Sequence, residues 1–171
     1  MKTKFMFAAL VVFSAQAFAG TPVWKSVYTD LTKDCVEVSS ANQNAEIDFY
    51  DAECKAFGGY QLNIEGGDLR YGPALRYNGV MLDVGSTGAF HDTGSTKVEW
   101  VYTLSKEVDG AGTLEWKGFI YRLSQATENG SGPDESVLYS VRLNKEQTCL
   151  VGTSTTNQAA RDLIYNNAPC L

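Results

Sequence analysis

Tyr60-Gln61-Leu62-Asn63-Ile64-Glu65-Gly66-Gly67-Asp68-Leu69-Arg70-Tyr71-Gly72-Pro73-Ala74-Leu75-Arg76-Tyr77-Asn78-Gly79-Val80-Met81-Leu82-Asp83-Val84 is the stretch from which the fold class follows. Apolar and polar residues alternate with period two, which puts one face of an extended strand in a core and the other in water. Tyr60, Leu62 and Ile64 share one phase up to a turn expected at Gly66-Gly67. Leu69 and Tyr71 open the next strand, and the phase resumes at Leu75 and Tyr77. Asn78-Gly79 then reads as a two-residue hairpin turn, because both positions accept a positive φ, with Val80, Leu82 and Val84 as the return strand.

Outward from this core the same pattern continues. Val98, Trp100, Tyr102 and Leu104 make a strand that ends near Asp109-Gly110. In the next one Leu114 and Trp116 hold one parity while Phe119, Tyr121 and Leu123 hold the other. A slip of one residue at Gly118 is what a β-bulge produces. Val137, Tyr139, Val141 and Leu143 follow, and Cys149 with Val151 closes the sheet. A single helix is expected near the end, with Asn157 as N-cap, Ala160, Leu163 and Ile164 at helical spacing, and Pro169 as the stop. The fold class is therefore mainly β, an antiparallel β-sandwich or small barrel with one C-terminal α-helix. Residues 85–96 and 125–134 are the longest stretches without a pattern.

Lys2 and Lys4, the apolar run from Phe5 through Phe13, and Ala17-Phe18-Ala19 form the three-part pattern of an export signal, with cleavage expected after Ala19. The apolar run is too short to span a bilayer, which takes about 20 residues. Residues 20–171 have the length of one domain with a single core. Four cysteines, Cys35, Cys54, Cys149 and Cys170, all lie beyond the signal. An even count in an oxidising compartment implies two disulfides, of which three pairings are possible; local pairing, Cys35 with Cys54 and Cys149 with Cys170, closes two loops of moderate size. None of the cysteines has the close spacing of a structural zinc site. The formal charge of −6 becomes more negative once Lys2 and Lys4 are removed. An acidic surface argues against nucleic acid and anionic membranes and favours a cationic protein or a cell-envelope component as partner.

The chemistry-bearing residues are sparse. His91 is the only histidine, so any Ser/His/Asp or Cys/His arrangement would have to pass through it, and no nucleophile motif accompanies it. Glu65, Asp68, Glu99 and Glu115 are numerous enough for a carboxylate pair that hydrolyses glycosides, although cross-strand charge pairing accounts for them more simply. No calcium loop and no phosphate cradle is present, and neither cofactor nor metal is expected. Leu69-Arg70-Tyr71 recurs as Leu75-Arg76-Tyr77, and the even offset puts Arg70 and Arg76 on one strand face. There they either grip an anion together or balance nearby carboxylates. In residues 85–96, nearly all small and polar, Phe90 with His91 beside it is the one large apolar group. Its ring either folds back as a plug, the expected outcome, or projects as an anchor for a partner.

The export signal, the early cysteine pair, Glu65-Gly66-Gly67-Asp68-Leu69-Arg70, and the closing Cys149-Leu150-Val151 with Asn157 and Ala159-Ala160-Arg161 resemble small secreted proteobacterial proteins without assigned activity. In kind the chain is also similar to periplasmic lysozyme inhibitors, which are small, exported, β-rich and disulfide-bonded. It departs from the type that carries a Ser-Gly motif close before a tyrosine, since Ser131-Gly132 stands too far from Tyr139. The leading expectation is an extracytoplasmic, non-catalytic binding or interaction protein, inhibitor-like toward a cationic protein such as a lysozyme. Two alternatives stand beside it. One is a small barrel that carries an apolar ligand among Trp100, Trp116 and Tyr121; the other is a carboxylate-based cell-wall hydrolase.

Overall fold

A computed structural model of the chain describes residues 22–38, 49–85, 89, 91–106, 112–127, 133–144 and 147–171. The export signal and Phe90 lie outside the described residues. The strands are β1 (Val23–Asp30), β2 (Cys35–Glu37), β3 (Phe49–Cys54), β4 (Tyr60–Gly67), β5 (Arg70–Tyr77), β6 (Val80–Met81), β7 (His91–Thr93), β8 (Lys97–Lys106), β9 (Gly112–Gln125), β10 (Glu135–Arg142) and β11 (Cys149–Ser154), followed by the helix α1 (Asn157–Tyr165). They form one curled sheet in the order β1-β8-β9-β7-β5-β4-β3-β2, with β10 and β11 continuing beyond β9 and β6 beside β5. The result is a half-barrel with a single C-terminal helix, as the alternation implies.

The concave face is filled, not hollow. Leu62, Leu75, Trp100, Phe119 and Val141 are fully buried there, with Tyr60, Tyr121, Leu123 and Tyr139 around them. The ring of Trp100 meets Phe119 edge-on at 4.9 Å, and its indole N–H donates to the Thr29 hydroxyl at 3.0 Å. Tyr121 stacks on Tyr139 at 5.0 Å and donates its hydroxyl proton to the Val84 carbonyl. On the convex side a second, smaller core forms where α1 lays Ala160 and Ile164 on Val101, Ile120, Leu138 and Val151.

The bulge is where the parity slip put it. Val101 faces Gly118 but Tyr102 faces Trp116, so Lys117 is the extra residue of β9. Gly118 also makes room for the helix: a Cβ there would lie 2.8 to 3.0 Å from three side-chain atoms of Ile164. Asn78 and Gly79 both take a positive φ, as the hairpin requires. The return strand is shorter than the alternation suggested. β6 ends at Met81, and only the bond from Leu82 N to the Leu75 carbonyl extends it.

Three other expectations need correction. The β4–β5 turn is Asp68-Leu69, not Gly66-Gly67, and both residues have positive φ, 51° and 60°. The ladder between these strands is long enough to take in both glycines and shift the turn. The helix N-cap is Thr156, whose hydroxyl accepts from Ala159 N, so Asn157 is the first helical residue. The stretch 85–96 is not structureless, because it contains β7. That three-residue strand pairs antiparallel with Leu123–Gln125 of β9 and, through the Arg70–His91 bridge, parallel with β5. Its partners are remote in sequence, and so short a strand leaves no periodic trace.

The disulfides are the local pair. Cys35–Cys54 joins facing residues of β2 and β3, and Cys149–Cys170 ties the chain beyond α1 to the start of β11. Leu171 N donates to the Leu150 carbonyl, which completes this strap. No helix among the described residues is long and apolar enough to cross a membrane. The two disulfides fit an oxidising, extracytoplasmic setting.

Candidate functional site

β7 and β8 run one after the other along the same edge of β9, joined through Gly94, whose N–H donates to the Arg122 carbonyl. Their outer neighbours differ. β7 has β5 beside it and β8 has β1, so the sheet forks at residues 94–96. The last link on the β1 side is the bond from Leu31 N to the Thr96 carbonyl at 2.8 Å. Between the two arms opens a cleft of about 700 Å³. Its apolar wall is Leu31, Ile64, Tyr50 and Tyr71, the two tyrosine rings meeting edge-on at 6.2 Å. Its rim is the ribbon Asp92-Thr93-Gly94-Ser95-Thr96 with Thr32 opposite. Apolar walls with a few placed polar groups are the usual character of a binding pocket.

A second groove, of about 1160 Å³, crosses the convex face below the C-terminal end of α1. It turns round the edge of β9 at Lys117, where the β10 ladder has ended, and reaches Trp116 and Tyr60. The helix end is built for this position. Asn167 takes a positive φ of 51°, and the bonds from Asn167 N to the Ile164 carbonyl and from Ala168 N to the Leu163 carbonyl close it. Tyr165 is thereby held 4.5 Å from the ring of Trp24.

Of the residues singled out from sequence, Arg70 and His91 come together across the β5–β7 bridge, and Arg76 does not join them. The β4–β5 ladder runs unbroken, so the two arginines lie on one face, but each has its own acid: Asp68 at 2.8 Å for Arg70 and Glu65 at 2.6 Å for Arg76. His91 Nδ1 lies 2.8 Å from the Ala89 carbonyl, which can only accept, so that nitrogen carries the proton. Glu99 lies buried beneath α1, held by Arg161 Nε at 2.7 Å and Nη2 at 3.0 Å and by the Ser26 hydroxyl. The Glu99 hydrogen bond, with the carboxylate charge behind it, pushes the Arg161 pKa up, so this guanidinium stays protonated at any ordinary pH. Glu115 pairs with Lys117. The four carboxylates considered for hydrolysis thus sit in four separate ion pairs. Trp100 and Tyr121, expected to line a cavity in a carrier, are packed in the core, and only Trp116 opens onto a groove. Among the described residues no three His, Cys, Asp or Glu side chains converge as for a metal ion.

Sequence reasoning reached Asp92 to Thr96 as loop residues. It missed the tyrosine wall opposite them and the groove under α1. Each combines residues from several strands whose adjacency depends on β7 and on the helix position. Comparison of the chain with protein-family models, with curated proteins and with solved structures gives no match.

Proposed function

We propose that this chain is a non-catalytic binding protein that works outside the cytoplasm and engages a cationic protein at the fork of its sheet. The observation that carries the reading is the fork cleft, with a wall of Leu31, Ile64, Tyr50 and Tyr71 and a rim of hydroxyls and backbone around Asp92. Such a cleft suits an aromatic or aliphatic side chain whose neighbours in the partner are basic. The acid excess of 20 Asp and Glu over 14 Lys and Arg steers a cationic partner toward it. The disulfides and the leader pattern support export to the periplasm or beyond, with the leader removed after Ala19.

Calorimetric titration of the processed protein with a lysozyme, and with an unrelated basic protein of similar size, tests this reading. Saturable binding that weakens with salt and is lost in Asp92→Lys and in Thr93→Arg is the expected result. Heats no larger than those of a neutral control protein, or binding that both substitutions leave intact, would overturn it.

A further inference from the structure

The groove beneath α1 differs from the fork cleft in the groups it offers. Trp24, Thr103 and Glu115 face one another in a single cross-strand row over β1, β8 and β9. Tyr165 closes on this row from the helix end. Thr103 is 4% exposed, yet its hydroxyl makes no hydrogen bond to any described residue. No fully buried side-chain nitrogen or oxygen among the described residues lacks a partner. The Thr103 hydroxyl therefore opens onto the groove it lines. The Trp24 indole N–H and the Tyr165 hydroxyl are in the same state, the two half-buried rings tilted against each other and their polar ends unused.

The charges along the groove are already committed. Lys117 is paired with Glu115. Arg142 donates to Asn167 Oδ1, to the Ala168 carbonyl and to Cys170 Sγ, which fixes it to the C-terminal strap. A ligand here meets aromatic rings, hydroxyl and N–H groups at their edges, and no unpaired ionic partner. We propose that this groove binds an uncharged glycan. A pyranose ring carries an apolar C–H face bordered by hydroxyls, which matches rings for the face and unused donors for the edges. An anionic ligand would find no free cation here and an acidic molecule around it. The bend of the groove round β9, from Trp24 to Trp116, gives room for more than one sugar along a chain. This inference is independent of the protein-binding reading, since the two clefts share no residue.

The protein holds three tryptophans, and Trp100 is fully buried, so fluorescence reports on the two in the groove. The test titrates the processed protein with a β-1,4-linked N-acetylglucosamine tetrasaccharide, with a galacturonate tetrasaccharide, and with a neutral tetrapeptide. A saturable fluorescence change with the first alone is expected. Thr103→Val, which keeps the side-chain shape, and Trp24→Phe, which keeps a ring against Tyr165 and leaves Trp116 as the reporter, remove one donor each and should weaken it about three- to tenfold. Far-ultraviolet circular dichroism confirms that both variants remain folded. No change at millimolar tetrasaccharide, binding unaltered in both variants, or a response to the peptide instead of the sugar would overturn the proposal.

Discussion

Glu99 stands on the strand face that the alternation assigns to water, yet beneath α1 it is only 7% exposed, and it is tolerated because both of its oxygens are occupied. Ser26 and the fork of Arg161 supply the donors, and the Tyr28 hydroxyl accepts from the same Arg161 Nη2 at 2.9 Å. Such a pair adds little net stability over an apolar one, but removing one half strands the other. Arg161→Met should therefore lower the unfolding free energy by about 3 kcal/mol, measured by urea titration. Arg161→Met with Glu99→Leu should recover most of that loss. A single substitution that cost nothing would mean the carboxylate reaches water without the helix. Leu69 is the opposite case, a residue whose backbone is at odds with its side chain. At φ 60° a leucine crowds its own carbonyl, and its side chain, 65% exposed, gains little in return. Leu69→Gly should stabilise the fold by about 1 kcal/mol, seen as a higher denaturant midpoint with an unchanged slope.

At the scale of elements, the helix and the bulge depend on each other. Gly118 is one of the points where α1 touches the sheet, and Ile164 occupies the space of its missing side chain. Gly118→Ala should cost about 2 kcal/mol, and Ile164→Val in the same chain should return part of it. Additive losses in the double variant would show that the two residues do not share that space. This bulge was legible in the sequence because it changes the parity of large residues, Trp116 on one side and Phe119 on the other. The Asn78-Gly79 hairpin was legible because two adjacent residues carry the whole signal. β7 was not, since His91-Asp92-Thr93 has no alternation to read and gains its identity from β9 and β5. Leu69 in the turn was hidden for a related reason. The pairing of β3, β4 and β5 fixes where the turn falls, and local preference for glycine yields to it.

At the scale of the whole molecule, burial of phenols sets a limit on the alkaline side. Desolvation raises the Tyr121 pKa far above the ordinary range, and it raises those of Tyr60 and Tyr165 as well. Below pH of about 10 folded and unfolded chains both hold these protons and the contribution to stability is complete. Above it the unfolded chain releases them first, so stability falls as pH rises, by roughly 1.4 kcal/mol per unit for the deeply buried Tyr121 and by less for Tyr60 and Tyr165, which solvent screens. Urea midpoints measured from neutral to strongly alkaline pH should show this decline, and Tyr121→Phe should make it shallower. An unchanged slope in that variant would show that Tyr121 titrates normally. The clefts belong to this scale too, which is why sequence revealed so little of them. Tyr50, Tyr71 and Asp92 become neighbours only when the sheet forks, and Trp24 meets Tyr165 only when both ends of the chain are in place.

The pairing of β1 with β8 bears on the order in which the protein can assemble. Ser26 and Glu99 are 73 residues apart, so a chain emerging from its N-terminus carries β1 without a mate until most of the sheet has been made. The hairpins from β3 to β6 need no such wait, because each strand's mate comes soon after it in the chain. A strand kept waiting with its backbone unpaired is a segment a holding chaperone would grasp, and it is also a segment through which two unfinished chains would stick. Pulse-labelled hydrogen exchange during refolding should accordingly find the β4–β5 amides protected early and those of Val23 to Asp30 last.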